Sequence, residues 1–85
     1  MTSNEQKIKL RVKSAAQTFF DGEASSITSF NQEGVFDILP QHANFISVIT
    51  KNIIIDKNLP TQKEITIERG VLRTRGNTVD VYLGF

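Results

Sequence analysis

Several residue types that support particular kinds of protein are missing or scarce in this chain of 85 residues. It has no cysteine, which excludes disulfide bridges and metal sites built from thiolates. It has no tryptophan and a single tyrosine, so few aromatic platforms are available for stacking against sugars. No apolar run approaches the roughly 18 residues that a membrane-spanning helix needs. These absences leave a small domain held together by an ordinary apolar core.

The balance of charge excludes further functions. Ten lysines and arginines nearly cancel nine acids, and a net charge of +1 gives no overall attraction to nucleic acid or to an anionic membrane. The five glycines stand apart and form no nucleotide-binding loop. The polar start, MTSNEQ, has no hydrophobic segment behind it and is not a secretory signal. We therefore expect a soluble cytosolic domain over residues 7–85, preceded by a disordered tail over residues 1–6.

The apolar pattern is that of β-strands. In KIKLRVK, the aliphatic residues Ile8, Leu10 and Val12 alternate with four cations, which places them on one face of a strand. KEITIERG and DVYL repeat the alternation, and no segment sustains a helical period of 3.6 residues. Shorter apolar segments complete the pattern at residues 18–20, 26–30, 35–39, 45–50, 53–55 and 71–74.

Residues that favour turns separate these segments. The breaks that we predict include Asp21-Gly22, Asn31 to Gly34, Lys51-Asn52, Asn58 to Pro60, Gly70 and Gly76-Asn77. Many short strands at this spacing are typical of a β-sandwich or a barrel. The sequence therefore predicts an all-β fold.

The only histidine, His42, is the first candidate for chemistry, within GVFDILPQHANFISVI. A general base needs a partner that the fold places beside it, and Asp37 is the nearest acid in the sequence, with no nucleophile at a recognisable spacing. One histidine without cysteine does not support a metal site either. We expect a hydrogen-bonded loop or interface histidine, no catalytic residue, no metal and no cofactor.

A second candidate is the stripe of cations Lys7, Lys9, Arg11 and Lys13, which could contact phosphates. A nucleic-acid module of this size usually adds stacking aromatic residues and a basic overall charge. Neither is evident, so the stripe is better interpreted as a solvated outer face on which lysine discourages edge-to-edge pairing. We expect no nucleic-acid partner.

The excess of aliphatic residues is more informative. Residues 53–55 are three successive isoleucines, and FISVI at residues 45–49 is nearly as apolar on both faces of a strand. Either these are central strands whose outer face is covered by a loop, or they form an exposed apolar patch that binds another protein. The two interpretations stay about equal, and pattern alone therefore predicts an all-β binding module.

One stretch of motifs goes further. From residue 8 to residue 84 the chain resembles the N-terminal domain of the epsilon subunit of F-type ATP synthases, which is called delta in mitochondria. The matching positions are Val12, Ser14, Phe20 and Gly22, then Ile27, Glu33, Gly34, Ile38, Leu39, Pro40, His42 and Ala43, and finally Gly70, Leu72, Asn77, Val79, Val81 and Leu83.

The resemblance implies a two-sheet β-sandwich of about ten short strands. It also implies a non-catalytic subunit of the rotor, or central stalk, which couples the gamma subunit to the c ring during ion-driven ATP synthesis. Such a subunit lies at the inner face of the cell membrane as part of the complex, without inserting into the membrane itself. We expect it to be monomeric in isolation.

The resemblance also suggests contact residues. It places Glu33, Gly34 and Val35 against the c ring, and Ser14, His42 and Ser47 against the gamma subunit. Between these sets, Pro40 and Gln41 are expected to shape the loop, because proline fixes its own φ between two strands.

The chain also departs from the family pattern. Val35 replaces an acidic residue, Asp37 and Gln41 each replace a glycine, and Phe45 stands where a smaller aliphatic residue is common. Most family members continue into a C-terminal pair of helices that can inhibit ATP hydrolysis and, in some, senses ATP. The last strand predicted here is closely followed by Phe85, so we expect a short form without an inhibitory or ATP-sensing role. The alternative is a small β-sandwich module that binds a ligand such as a carbohydrate.

Overall fold

The computed structural model describes residues 7–84, and β-strands are the regular elements of this part of the chain. The seven strands are Ile8–Lys13 (β1), Thr18–Ala24 (β2), Ile27–Asn31 (β3), Gly34–Ile38 (β4), Phe45–Ile55 (β5), Lys63–Arg75 (β6) and Thr78–Leu83 (β7). They form one sheet in the order β2-β1-β7-β6-β5-β3-β4. The all-β prediction is confirmed. The predicted tail at residues 1–6 lies outside the described residues.

Neighbouring strands are antiparallel except β1 and β7, which pair in parallel. The predicted alternation in β1 is confirmed, because Ile8, Leu10 and Val12 are buried while Lys9 and Arg11 are exposed. The described residues include no helix that is long and apolar enough to cross a membrane.

The sheet folds over onto itself to make its own core. A flat sheet with no helix against it would leave both faces in water, yet aliphatic side chains from all seven strands form a single buried cluster. A bulge between Thr50 and Lys51 interrupts the pairing of β5 with β6, and Lys51 has a positive φ of 76° there. Because a bulge bends a strand and increases its twist, β5 changes direction at this point.

The structure has seven strands in one sheet where about ten in two sheets were expected, and two of the predicted breaks are not turns. Lys51 and Asn52 lie in the bulge inside β5, and Gly70 lies inside β6. A Cβ atom at Gly70 would come within 2.7 Å of Cδ2 of Leu83 and 3.0 Å of the carbonyl oxygen of Tyr82. Glycine is therefore needed there for close packing against β7.

The predicted turn at Asp21-Gly22 is also wrong. Both residues lie inside β2, where Asp21 pairs with Arg11 and Gly22 pairs with Leu10. The glycine that suggested a turn is accommodated in a strand at the edge of the sheet.

The loop after β5 is organised by Asp56, whose side chain is buried although its residue type is usually exposed. One carboxylate oxygen accepts the backbone N–H of Ser25 at 2.6 Å, and the other accepts the hydroxyl of Thr61 at 2.7 Å. Burial alone would raise the pKa of the Asp56 carboxyl, but the bonds from Thr61 and the backbone, with the charge of Lys7, bring that pKa below its ordinary value. The sequence indicated only a turn in this region.

Candidate docking surfaces

The hairpin that joins β3 and β4 presents the residues expected at the c ring. Asn31 pairs with Gly34, so Gln32 and Glu33 form a two-residue tip. The side-chain oxygen of Asn31 accepts the backbone N–H of Glu33 at 2.8 Å, which closes the turn. Gly34 has a φ of 120°, a conformation that glycine adopts without strain. Glu33, Gly34 and Val35 are all exposed, with Val35 at 60%.

A groove lies between this tip and β5. Its volume is about 730 Å³, and the amide of Asn31 crosses it at one point to donate a hydrogen bond to the hydroxyl of Ser47 at 3.3 Å. The lining residues are Asn31, Gln32, Glu33, Phe45, Ile46, Ser47, Val48, Thr50 and Arg69. The tip expected at the c ring and one residue expected at the gamma subunit therefore share a surface.

The segment LPQH forms a tight turn. The backbone N–H of His42 donates to the carbonyl oxygen of Leu39 at 3.1 Å, which places Pro40 and Gln41 at the two central positions. Gln41 has a φ of 67°. Proline followed by a residue with positive φ is the arrangement of a type II turn, in which glycine is preferred at the second position. This preference gives a physical reason for the glycine that the family pattern has at Gln41.

The loop after this turn is tied to the turn between β6 and β7. The backbone N–H of Gln41 donates to the side-chain oxygen of Asn77. The backbone N–H of Gly76 donates to the side-chain oxygen of Asn44 at 3.0 Å. Thr74 adds two bonds at 2.9 Å, because its hydroxyl donates to the carbonyl oxygen of Ala43 and accepts the backbone N–H of Phe45. These bonds hold the loop in one shape before any partner binds.

His42 is half-buried at the side of this loop. Its Nδ1 atom lies 2.8 Å from the carbonyl oxygen of Ala43, so the Nδ1–H tautomer donates to that oxygen. Its ring packs against that of Phe45 at 5.1 Å between centroids, and Phe45 in turn meets the edge of Phe36 at 5.8 Å. Histidine and acidic side chains in the part of the chain that the structure describes form no group able to hold a metal. The arrangement is that of a packed corner.

The three residues expected at the gamma subunit are not clustered. Ser47 follows Phe45 by two residues on β5, which places it near His42. Ser14 lies beyond the end of β1, where its hydroxyl accepts the backbone N–H of Ala16 at 3.2 Å. Because β6 and β7 separate β5 from β1, three strand spacings, about 14 Å, lie between Ser14 and β5.

Each of the two aliphatic segments fits a different one of the two interpretations. In FISVI, Ile46 is 68% exposed and Val48 is 46% exposed, so this segment presents an apolar surface. In the isoleucine run, Ile53 and Ile55 are buried and Ile54 is half-buried, so the run is mostly core. The apolar pattern could not tell the exposed segment from the buried one, because residues distant in the sequence decide whether the outer face of each segment is covered.

The positive φ at Gln41 leads to a testable difference between substitutions. Replacing Gln41 with valine is expected to lower the free energy of unfolding by about 1.5 kcal/mol, because a β-branched side chain is strained at positive φ. Replacing it with glycine is expected to change that free energy by less than about 0.5 kcal/mol, since relief of strain offsets the added freedom of the unfolded chain. Urea denaturation measures both. Equal stability of the two variants would contradict the turn geometry.

The β-sheet, the hydrogen-bonded loop corner and the exposed aliphatic side chains define a small all-β domain with an apolar surface. Within that class, the chain belongs to the family described as ATP synthase, delta/epsilon chain, beta-sandwich domain, whose model matches residues 7–83.

Relatives with curated names agree with this family. The ATP synthase epsilon chain of Leptospira borgpetersenii serovar Hardjo-bovis is 28% identical over 75 residues, a match that covers 88% of this chain and 59% of the relative. The ATP synthase epsilon chain of a Nitratiruptor species is 33% identical over 60 residues, which is 71% of this chain and 46% of the relative. The chain thus spans about half to three fifths of the length of these relatives.

Solved structures share the fold at low sequence identity. A chain of the Euglena gracilis mitochondrial ATP synthase, from a structure of OSCP/F1/c-ring, superposes with a TM-score of 0.81 at 15% identity over 91% of this chain and 50% of that chain. A chain of the Tetrahymena thermophila mitochondrial ATP synthase, from a structure of the central stalk and c-ring, gives a TM-score of 0.76 at 15% identity. That match covers 98% of this chain and 67% of the Tetrahymena chain.

Proposed function

We propose that this chain is the β-sandwich domain of an epsilon subunit, which couples the gamma subunit to the c ring in the central stalk of an F-type ATP synthase. The observation that carries the proposal is the family match, because residues 7–83 take in all seven strands. The named relatives are epsilon chains, and one similar solved chain comes from an assembly of central stalk and c-ring.

The proposed role is mechanical and involves no catalysis. A coupling domain must transmit torque without shearing, and a single core that joins all seven strands resists such deformation. No step in this role needs a cofactor. The domain would be monomeric until it joins the complex, where the c ring holds it at the inner face of the cell membrane.

Two surfaces would make the contacts. The tip at Glu33, Gly34 and Val35 is assigned to the c ring, and the corner around His42 and Ser47 is assigned to the gamma subunit. Because Ser14 lies about 14 Å from β5 across the sheet, a gamma interface that includes it must extend over β6 and β7. An interface of about 800 Å² per partner, the usual size for a stable complex, is large enough to do so.

The finer description of the fold belongs to the same proposal. We take residues 7–85 as one domain in which the folded sheet acts as the two layers of a sandwich. Counting β5 and β6 once in each layer adds two strands to the seven, which gives nine and approaches the expected ten. The bulge at Thr50 and Lys51 would mark the passage of β5 from one layer to the other.

No observation favours the alternative of a carbohydrate-binding module. Such a module needs an open aromatic face, and the ammonium nitrogen of Lys13 lies over the ring of Tyr82, 5.4 Å from its centroid. Val71, the cross-strand neighbour of Tyr82 on β6, suits a protein surface better than a sugar.

Binding of the gamma subunit from the same organism tests the proposal. The 85-residue chain is expected to bind purified gamma with a Kd of about 1 μM or tighter, as a standard-sized interface allows. Replacing Ser47 with arginine is expected to weaken binding about tenfold by crowding the corner. Replacing the exposed Thr66 with arginine is the matched control and should leave affinity unchanged. No association at micromolar concentrations, by calorimetry and by pull-down, would reject the proposed function.

A further inference from the structure

The tip of the β3–β4 hairpin extends past the part of the sheet in which β3 pairs with β5. That pairing ends with Phe30 opposite Thr50, and its register is irregular just before this pair. The next residue of β3, Asn31, pairs with Gly34 of β4. A two-stranded hairpin by itself is only marginally stable in water. The tip therefore needs a further contact to keep one conformation.

The side chain of Asn31 makes such a contact. Its Oδ1 atom accepts the backbone N–H of Glu33 at 2.8 Å, and its Nδ2 atom donates to the hydroxyl of Ser47 on β5 at 3.3 Å. The Ser47 hydroxyl donates in turn to the carbonyl oxygen of Val48 at 3.2 Å. Three consecutive hydrogen bonds therefore join the tip to β5. We call them the Asn31 bridge.

The bridge uses both ends of the Asn31 amide. Closing the turn at Glu33 needs only an acceptor, which aspartate or serine would also provide. Neither of those side chains has an N–H group with which to donate to Ser47. The Nδ2 atom is thus the part of Asn31 that the turn does not use, and its partner lies 16 positions away in the sequence.

The strength of the bridge depends on its surroundings. Asn31 and Ser47 are half-buried and line the groove between the tip and β5. Water in the groove competes for both side chains, so the hydrogen bond between them contributes little while the groove is open. A protein that covers the groove from the side of Ser47 would exclude this water, and the same bond would be stronger in the lower dielectric.

We propose that Asn31 couples the two docking surfaces, so that a partner bound at the corner near Ser47 holds the tip in the conformation that binds the other partner. The inference rests on the proposed function, in which the corner binds gamma and the tip binds the c ring. A tip that is already ordered loses less conformational entropy on binding. Because coupling between two sites is reciprocal, the c ring at the tip strengthens gamma binding by the same factor. Asn31 is a positioning residue in this account.

Removing the hydroxyl of Ser47 tests the bridge in the isolated, isotopically labelled chain. Ser47→Ala keeps the turn bond to Glu33 but removes the acceptor on β5. The NMR order parameter of the Glu33 amide is expected to fall from about 0.85 to below about 0.6. Ser47→Thr keeps a hydroxyl and should keep the wild-type value. The matched control Ser25→Ala, which removes a hydrogen bond from Lys7, should do the same.

Binding of gamma with and without the c ring tests the coupling. The ratio of the Kd for gamma without the c ring to the Kd with saturating c ring in detergent is the coupling factor. It is expected to be about fivefold larger for the wild type than for Ser47→Ala, a factor that one ordinary hydrogen bond accounts for. Any direct contact of Ser47 with gamma cancels in this ratio. Ser47→Thr and Ser25→Ala should keep the wild-type factor.

The outcomes separate the two proposals. Gamma binding with the same coupling factor in wild type and Ser47→Ala overturns the inference and keeps the proposed function, as does an order parameter at Glu33 that Ser47→Ala leaves unchanged. Absence of gamma binding to the wild-type chain rejects the proposed function. In that case a fall of the order parameter in Ser47→Ala alone upholds the bridge as the contact that holds the tip, and an unchanged value overturns it.

Discussion

Replacing Leu72 with alanine is expected to lower the free energy of unfolding by about 3 kcal/mol. The Leu72 side chain is fully buried on β6, between Ser47 on β5 and Val81 on β7 in the pairing register. Its neighbours are held by strand pairing on both sides, so the walls cannot collapse into the space that the side chain leaves. The loss would be large for a domain of this size, whose total stability is of the order of 5–10 kcal/mol.

Urea denaturation followed by circular dichroism measures this loss, and the melting temperature should fall by about 15 °C. Val48→Ala is the matched control, since Val48 lies near Leu72 in the sheet but points outward and is exposed. It is expected to cost less than about 0.7 kcal/mol. Equal losses for the two substitutions would mean that the sheet does not close over a single core.

Replacing Asp56 with alanine is expected to destabilise the chain by about 3 kcal/mol at pH 7. Asp56 is 7% exposed, and its carboxylate accepts two hydrogen bonds. The bond from Ser25 joins the loop after β5 to the connection between β2 and β3, and the bond from Thr61 closes the loop itself. Alanine removes both acceptors and is strained at the φ of 57° found here. Asparagine tolerates this φ and keeps one acceptor, so Asp56→Asn should lose only about 1.5 kcal/mol.

The pH dependence identifies the charge of Asp56 as the cause. Hydrogen bonds hold the pKa of this carboxyl below its ordinary value in the folded chain, so its contribution to stability is complete above the unfolded value of about 3.9. That contribution is lost as the pH falls through the lower folded pKa. The stability difference between wild type and Asp56→Asn should therefore shrink between about pH 5 and pH 2, in urea titrations at about unit intervals. A constant difference over this range would contradict the assignment.

Local pattern was enough to predict the all-β fold and the inward residues of β1. A period of two places Ile8, Leu10 and Val12 on one face whatever the rest of the chain does. The same reasoning failed at Lys51 and Gly70, because a bulge and a close backbone contact use the residue types that also form turns. Two pairs of predicted strands consequently became the long strands β5 and β6.

The docking surfaces were less predictable, because they depend on contacts between distant residues. The bond between Gly76 and Asn44 joins positions 32 residues apart, and the pairing of β1 with β7 joins the two ends of the chain. Nothing in the local pattern near Asn44 indicates such a partner.

A three-component retention assay tests most directly whether this chain couples the gamma subunit to the c ring, as we propose. Purified c ring is immobilised in detergent, gamma is added at a fixed concentration, and the amount of gamma retained is measured with and without the 85-residue chain. Because the chain would contact both partners at once, it is expected to raise the retained gamma about tenfold. Retention of gamma that is the same with and without the chain, together with no retention of the chain itself, would contradict the claim.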